Sequence, residues 1–131
     1  MAKFKLNITT PERVFYEGEV DMVEMNTTEG EIGVYPGHIP LTVIVKPGVL
    51  VIHEGDEIKT AALHSGFAEI LPDSFNILAE VIEWPDEIDA ERAKAAMERA
   101  KKRLESKTED LDMSRVELAL QRAVTRINTI R

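Results

Sequence analysis

Cysteine is absent from the 131 residues. That removes disulfides, thiol nucleophiles and thiolate metal sites together, and it fits a reducing compartment. No apolar run approaches the roughly 18 residues that a membrane-spanning helix needs. The opening MAKFKLNITTPERV has neither a long apolar core nor a small-residue cleavage pattern, so no signal peptide is expected. GxxxxGK[ST] does not occur, so any nucleotide site here is not a P-loop. His38, His53 and His64 are widely spaced and show no HExxH or paired-ligand pattern. Ser65-Gly66 lacks the G-x-S-x-G elbow. The many carboxylates include no pair marked out for acid–base work. These absences leave no catalytic constellation and no metal site to expect.

The scarce residues are also unevenly placed. Every glycine lies at or before Gly66, every proline at or before Pro85, and the last aromatic is Trp84. Seven of the eight arginines follow residue 85. Residues 1–85 hold 5 Lys and Arg against 14 Asp and Glu, whereas residues 86–131 hold 11 against 10. The net charge of -8 makes the chain as a whole a poor generic ligand for nucleic acid or anionic lipid. The break in composition at Trp84-Pro85 predicts two domains, 1–85 and 86–131.

Before the break the hydrophobic period is two. KFKLNIT alternates Phe4, Leu6 and Ile8 with polar residues. GVLVIHEGDEIKTAAL reads as a hairpin turning at Gly55-Asp56, and ILPDSFNILAEVI as another turning at Pro72-Asp73-Ser74. Short β-rich runs bounded by Gly and Pro predict an antiparallel sandwich or barrel, in which His53 and His64 are packed or surface residues. GEIGVYPGHIPL, with three glycines and two prolines in twelve residues, predicts a tight exposed loop with Glu31 and His38 as its polar tips. Such a loop either just connects strands or presents residues to a partner.

After the break the period becomes 3.6. A first helix is predicted from about Ile88 to Glu105, capped by Asp86, with a stripe of Ala93, Ala96, Met97, Ala100 and Leu104. The polar SKTEDLDM predicts a loop. Ser114 and Glu117 offer a capping box for a second helix, whose apolar face would carry Val116, Ala119, Leu120, Ala123, Val124, Ile127 and Ile130. Two amphipathic helices on a short loop predict an antiparallel α-helical hairpin. Alanine buries little area, and at roughly 25 cal/mol per Å² such a seam docks weakly. The hairpin is therefore expected to be able to leave.

On a helical wheel Arg92 and Arg99 border the alanine stripe on one side, and Arg122 and Arg126 flank the apolar face of the second helix. The pattern fits two readings. Charged residues beside an apolar stripe commonly just solvate a helix. Alternatively, paired helices bring four guanidiniums together, and a polyanion turns their repulsion into binding through bidentate phosphate contacts.

GEIGVYPGHIPL, HSGFAEI and ILAEVIEW, followed by a two-helix tail, resemble the epsilon subunit of the F-type rotary ATP synthase over essentially the whole chain. The resemblance implies a ten-stranded β-sandwich followed by the hairpin. It implies a non-catalytic central-stalk subunit that couples proton-driven rotation to ATP synthesis, bound to the gamma subunit and, through Glu31 and His38, to the c-subunit ring. Membrane association would come only through that complex, at the cytoplasmic face of a bacterial membrane.

Ile88-Asp89-Ala90-Glu91-Arg92-Ala93 also matches the I/L-D-x-x-R-A motif of family members whose folded hairpin binds ATP. The resemblance then implies a base site from Glu83, Ile88, Asp89 and Ala93, and phosphate contacts from Arg92, Arg99, Arg122 and Arg126. ATP would be a regulatory ligand needing no metal. The extended tail would meet the alpha and beta subunits and inhibit hydrolysis. The competing expectation is a purely structural rotor-assembly module. One departure is HSGFAEI, with His64 and Ser65 where many relatives have a serine-glycine pair; it lies in the sheet, and no functional consequence is expected.

Overall fold

The computed structural model describes residues 2–106 and 112–131. Eight strands precede two helices: β1 Phe4–Thr9, β2 Val14–Val20, β3 Met22–Thr27, β4 Gly30–Val34, β5 Leu41–Ile44, β6 Gly48–Glu54, β7 Glu57–Ile70, β8 Ser74–Glu83, then α1 Ala90–Ser106 and α2 Met113–Ile130. The strands run in the order β2-β1-β8-β7-β6-β3-β4, with β5 added on β7. Only the β1–β8 pairing is parallel among them.

The sandwich plus helical hairpin is the architecture expected. Its described strands come to eight rather than about ten, and β7 is continuous over 14 residues. It pairs β6 with its first half, β5 with its second, and β8 on its other edge. Register shifts at Ser65 and Gly66 let it turn from one layer to the other. Gly66 has φ 139°, and a Cβ there would lie 2.2 Å from the Leu78 carbonyl oxygen, so this bend requires glycine.

The alternation read in β1 is real: Phe4, Leu6 and Ile8 face the core with Leu50, Ile52, Phe75 and Ile77. Both hairpins turn where expected, Glu54 pairing Glu57 around Gly55 and Ile70 pairing Phe75 around Pro72-Asp73. Tyr16 of β2 donates its hydroxyl to the Glu54 carboxylate of β6. Burial, then the Glu54 contact, pushes the phenol above its ordinary range, and the same bond holds Glu54 below the usual carboxylate value.

In β7, Ala61, Ala62, Leu63 and His64 are all buried. Ala61 and Leu63 belong to the sandwich core, whereas Ala62 and His64 do not. The second pair occupies the opposite face, against which α2 packs. α2 thus has two jobs, one side on α1 and one on the sheet. This corrects its expected apolar face: Val124 is 36% exposed, while Thr125 and Thr129 are buried, the Thr129 hydroxyl donating to the Thr125 carbonyl at 2.7 Å. On α1, Ala93 and Ala100 are buried and Ala96 half-buried, as the stripe required.

Both helix caps differ from expectation. Pro85–Glu87 forms a single 3₁₀ turn, and Ile88 is extended after it. The chain re-enters helix only at Ala90, so Asp89 rather than Asp86 caps α1, accepting from the Arg92 amide at 3.1 Å. Asp112 rather than Ser114 caps α2, accepting from the Arg115 amide at 3.3 Å, because the helix already begins at Met113. Each such cap is worth about 0.5–2 kcal/mol. The core of the loop expected between the helices, residues 107–111, lies outside the described residues.

Candidate nucleotide-binding site

The site lies where the strand domain becomes helical. Glu83 ends β8, and Trp84 stacks on Phe15 at 4.2 Å between ring centres. Glu87 then fastens the 3₁₀ turn. Its carboxylate accepts from the Trp84 amide at 2.8 Å and from Arg13 of the β1–β2 connection at 2.8 Å through both oxygens. The Trp84 amide first, and then Arg13, hold the Glu87 carboxyl below the usual carboxylate value. The root of α1 is thereby fixed to the sandwich.

From that root, one turn of α1 after another lines a cleft of about 250 Å³: Asp89 at the cap, Arg92 and Ala93, then Ala96 and Arg99, with Glu83 and Glu87 below. Arg126 closes it from α2, its Nε donating to Glu83 Oε1 at 2.7 Å. His64 Nε2 lies 2.9 Å from the same oxygen. Among the described residues Glu83 Oε2 has no hydrogen bond, and Arg92 and Arg99 have no ion pair. Two guanidiniums without an ion pair among the described residues attract an anion. The small Ala93 and Ala96 floor the cleft between them.

Six of the eight residues singled out from the sequence therefore meet here: Glu83, Asp89, Arg92, Ala93, Arg99 and Arg126. Ile88 and Arg122 do not line the cleft. Ile88 is half-buried in the extended link after the 3₁₀ turn. Arg122 is turned toward the sheet, where its Nε is buried without a partner among the described residues and its charge acts on His64. A second cavity of about 420 Å³ between the helices shares Ala96 and Arg99 with the cleft and adds Arg103 and Arg115, so the interhelical groove is continuous.

Glu87, Arg13 and His64 were missed from sequence. Arg13 and Glu87 are 74 residues apart, and no local pattern pairs them. His64 had a signal in the unbroken apolar run before it, which marks a strand covered on both faces.

The segment Gly30–Leu41 is not one tight loop. Its first half is β4, so Glu31 sits on a strand, exposed and opposite Asn26. His38 sits on the following turn, whose Gly37 amide donates to the Pro72 carbonyl at 3.1 Å. The two residues are separated by most of a strand rather than sharing a tip. On the outer face of the sheet Ile44, Phe67 and Leu78 are exposed in one cross-strand row, 61%, 46% and 46% respectively. No described helix is long and apolar enough to cross a membrane.

Comparison with known proteins agrees with this architecture. Residues 3–85 match the family model of the ATP synthase Delta/Epsilon chain beta-sandwich domain, and residues 86–131 that of its long alpha-helix domain. The ATP synthase epsilon chain of Halalkalibacterium halodurans is 44% identical over 98% of this chain and 97% of its own. That of Shouchella clausii is 45% identical over 98% and 95%. A chain in the Euglena gracilis mitochondrial ATP synthase, in a structure of its OSCP, F1 and c-ring, shares the fold with a TM-score of 0.86 at 24% identity, covering 100% of this chain and 83% of that one. With both halves matched in order and near-complete mutual coverage, the chain belongs to the epsilon-chain family of the F-type ATP synthase, as a non-catalytic central-stalk subunit.

Proposed function

We propose that this subunit regulates ATP hydrolysis through its hairpin, and that the docked form described above is the form that binds ATP. The observation that carries the reading is the pair Arg92 and Arg99, unpaired among the described residues, facing Arg126 across a cleft that also holds Glu83 and Asp89. The guanidiniums supply the counter-charge for a triphosphate, so the reading needs no metal. Glu83 Oε2 is available to accept from the 6-amino group of adenine. Guanine has an acceptor there, which would leave the carboxylate facing an oxygen at a cost of roughly 1–3 kcal/mol. ATP is thus preferred over GTP.

At about 250 Å³ the cleft is smaller than the roughly 300–1,000 Å³ of common ligand sites. A nucleotide would extend into the adjoining groove toward Arg103 and Arg115, or displace Arg126 from Glu83. Arg122 would need to turn away from the sheet to join it.

The rest of the proposal concerns the assembly. The gamma subunit would cover the apolar row Ile44, Phe67 and Leu78, while Glu31 and His38 would face the c-subunit ring from separate places on the sandwich. A released α2 would reach the alpha and beta subunits and oppose hydrolysis. The protein would be peripheral, at the cytoplasmic face of the cell membrane. Because ATP binds only the docked form, it stabilises that form by RT ln(1 + [ATP]/Kd), roughly 2.7 kcal/mol at a hundredfold excess.

The test has two stages. ATP titration of the full chain, followed by NMR, should shift α1 and α2 resonances, and Asp89→Ala with Arg92→Ala should abolish the response. Hydrolysis by the assembled complex should then become insensitive to ATP level in the same double variant. Unchanged inhibition without residues 86–131 would leave the structural module, a strut and coupling block, as the function.

A further inference from the structure

We infer that His64 is a positioning residue which holds Glu83 for Arg126 and so makes docking of α2 on the sheet depend on pH, with release on acidification. This goes beyond the nucleotide reading and does not need it, because every group involved belongs to the nucleotide-free chain.

The geometry is specific. His64 is 1% exposed and stands on the face of β7 that α2 covers. Glu83 Oε1 receives two donors at once, His64 Nε2 at 2.9 Å and Arg126 Nε at 2.7 Å. A carboxylate only accepts, so Nε2 carries the proton and the neutral ring is the tautomer with a bare Nδ1. That Nδ1 is buried and has no hydrogen-bond partner among the described residues. In this form the imidazole clamps Glu83 from the sheet side while Arg126 clamps it from the helix side. One oxygen thereby ties β7, β8 and α2 together.

A second proton has no place in this arrangement. It would create an Nδ1–H donor with no acceptor in reach, and it would put a third positive charge beside two guanidiniums. The charged groups acting on the ring are Glu83 from β8 and Arg126 and Arg122 from α2; among the described residues none from β5, β6, the 3₁₀ turn or α1 contributes. Burial is the largest influence and favours the neutral ring. The Glu83 hydrogen bond opposes it, and the two arginines reinforce it. The net direction is a docked-state pKa below the usual value of about 6.5.

The sign follows. When α2 leaves, the outer face of β7 meets water and the ring regains its ordinary basicity. The contribution of His64 to docking is fully present above about pH 6.5 and is lost as pH falls toward the docked-state pKa. Within that window the released form binds more protons than the docked form, so the docked-to-released ratio falls as pH falls, by at most about tenfold per pH unit.

The experiment uses the full, nucleotide-free chain between pH 5.5 and 7.5. It reads the Arg126 Nε–Hε resonance, the His64 ring nitrogens and hydrogen exchange of α2 amides. Wild type should lose α2 protection progressively as pH falls below about 6.5, by up to about tenfold per pH unit, while β1–β8 amides keep theirs. His64→Gln keeps an N–H donor for Glu83 but cannot take up a proton, so its α2 protection should be flat across the window. His64→Ser, which fits the space, should be equally flat but less protected throughout, since it cannot reach Glu83. The inference is overturned if wild type is itself flat, or if His64→Ser or His64→Gln retains the wild-type slope.

Discussion

The sandwich and the hairpin are held by different chemistry. Inside the sandwich Leu6, Ile8, Leu50, Ile52, Phe75 and Ile77 are fully buried, and the strands that carry them pair along most of their length. The hairpin offers Ala93, Ala100, Val116 and Ala123, and its grip on the sheet runs through Thr125, Thr129, Arg126 and His64. Large aliphatic and aromatic side chains each bury enough area to hold a core permanently. Alanines bury less, and one shared carboxylate supplies a polar contact at the joint. The lesson is that one chain joins a body held by large apolar side chains to one held by small side chains and shared charge, and the difference lies in side-chain size and in the kind of bond at the joint.

Substitutions that act on one region and spare the other sharpen this contrast. The largest effect belongs to Phe75→Ala, which should cost about 3–5 kcal/mol of sandwich stability. Urea unfolding monitored by strand circular dichroism would report it; a loss below 1 kcal/mol would mean the core collapses around the gap. Gly66→Ala comes next. It forces a side chain into positive φ against the Leu78 carbonyl, at about 1–3 kcal/mol, and it should weaken both layers where β7 bends.

Glu83→Gln should act on the hairpin alone. It removes the charge that Arg126 and His64 share, so α2 amides should lose protection at least tenfold while the sandwich transition stays within about 0.5 kcal/mol of wild type. A lowered sandwich midpoint of the same size would show that the two regions unfold as one. Smaller still is Arg92→Ala. Arg92 has no ion pair among the described residues, so stability should move by less than about 0.5 kcal/mol. ATP binding, if the proposed function holds, should weaken tenfold or more.

Glu87→Gln probes the fastening between the regions and should be comparably small. Its partners are largely exposed, so the loss at neutral pH is about 0.2–1 kcal/mol. The sign with pH is fixed by the depressed carboxyl. Its contribution is present above the usual carboxylate range and disappears as pH falls through the lower folded-state value. The difference between wild type and Glu87→Gln, measured as midpoint against pH, should therefore shrink on acidification.

Much of the architecture was legible because it is local. The alternation of KFKLNIT, the turn glycine Gly55 and the alanine stripe each express a preference of a few neighbouring residues, and each appears in the fold. Caps were harder. Asp86, Asp89, Ser114 and Asp112 are all good capping residues, and which one serves depends on where the chain leaves the sandwich. That β7 passes through its bend unbroken is something Gly66 permits but does not announce. The cleft was legible as a set of residue types, yet Arg122 faces the sheet because α2 is rotated by its contact with β7.

The composition break, the two periods, the sites of the hairpin turns and the arginines beside small side chains follow from the order of residues alone, because short-range sterics and hydrophobic spacing decide them. The tertiary structure alone decided that Arg126 reaches Glu83 across 43 residues, that Arg13 meets Glu87 across 74, and that His64 is sealed beneath a helix. Those pairings depend on how two amphipathic elements settle against each other, and each was selected by burial of the whole surface rather than by any preference of the residues that take part.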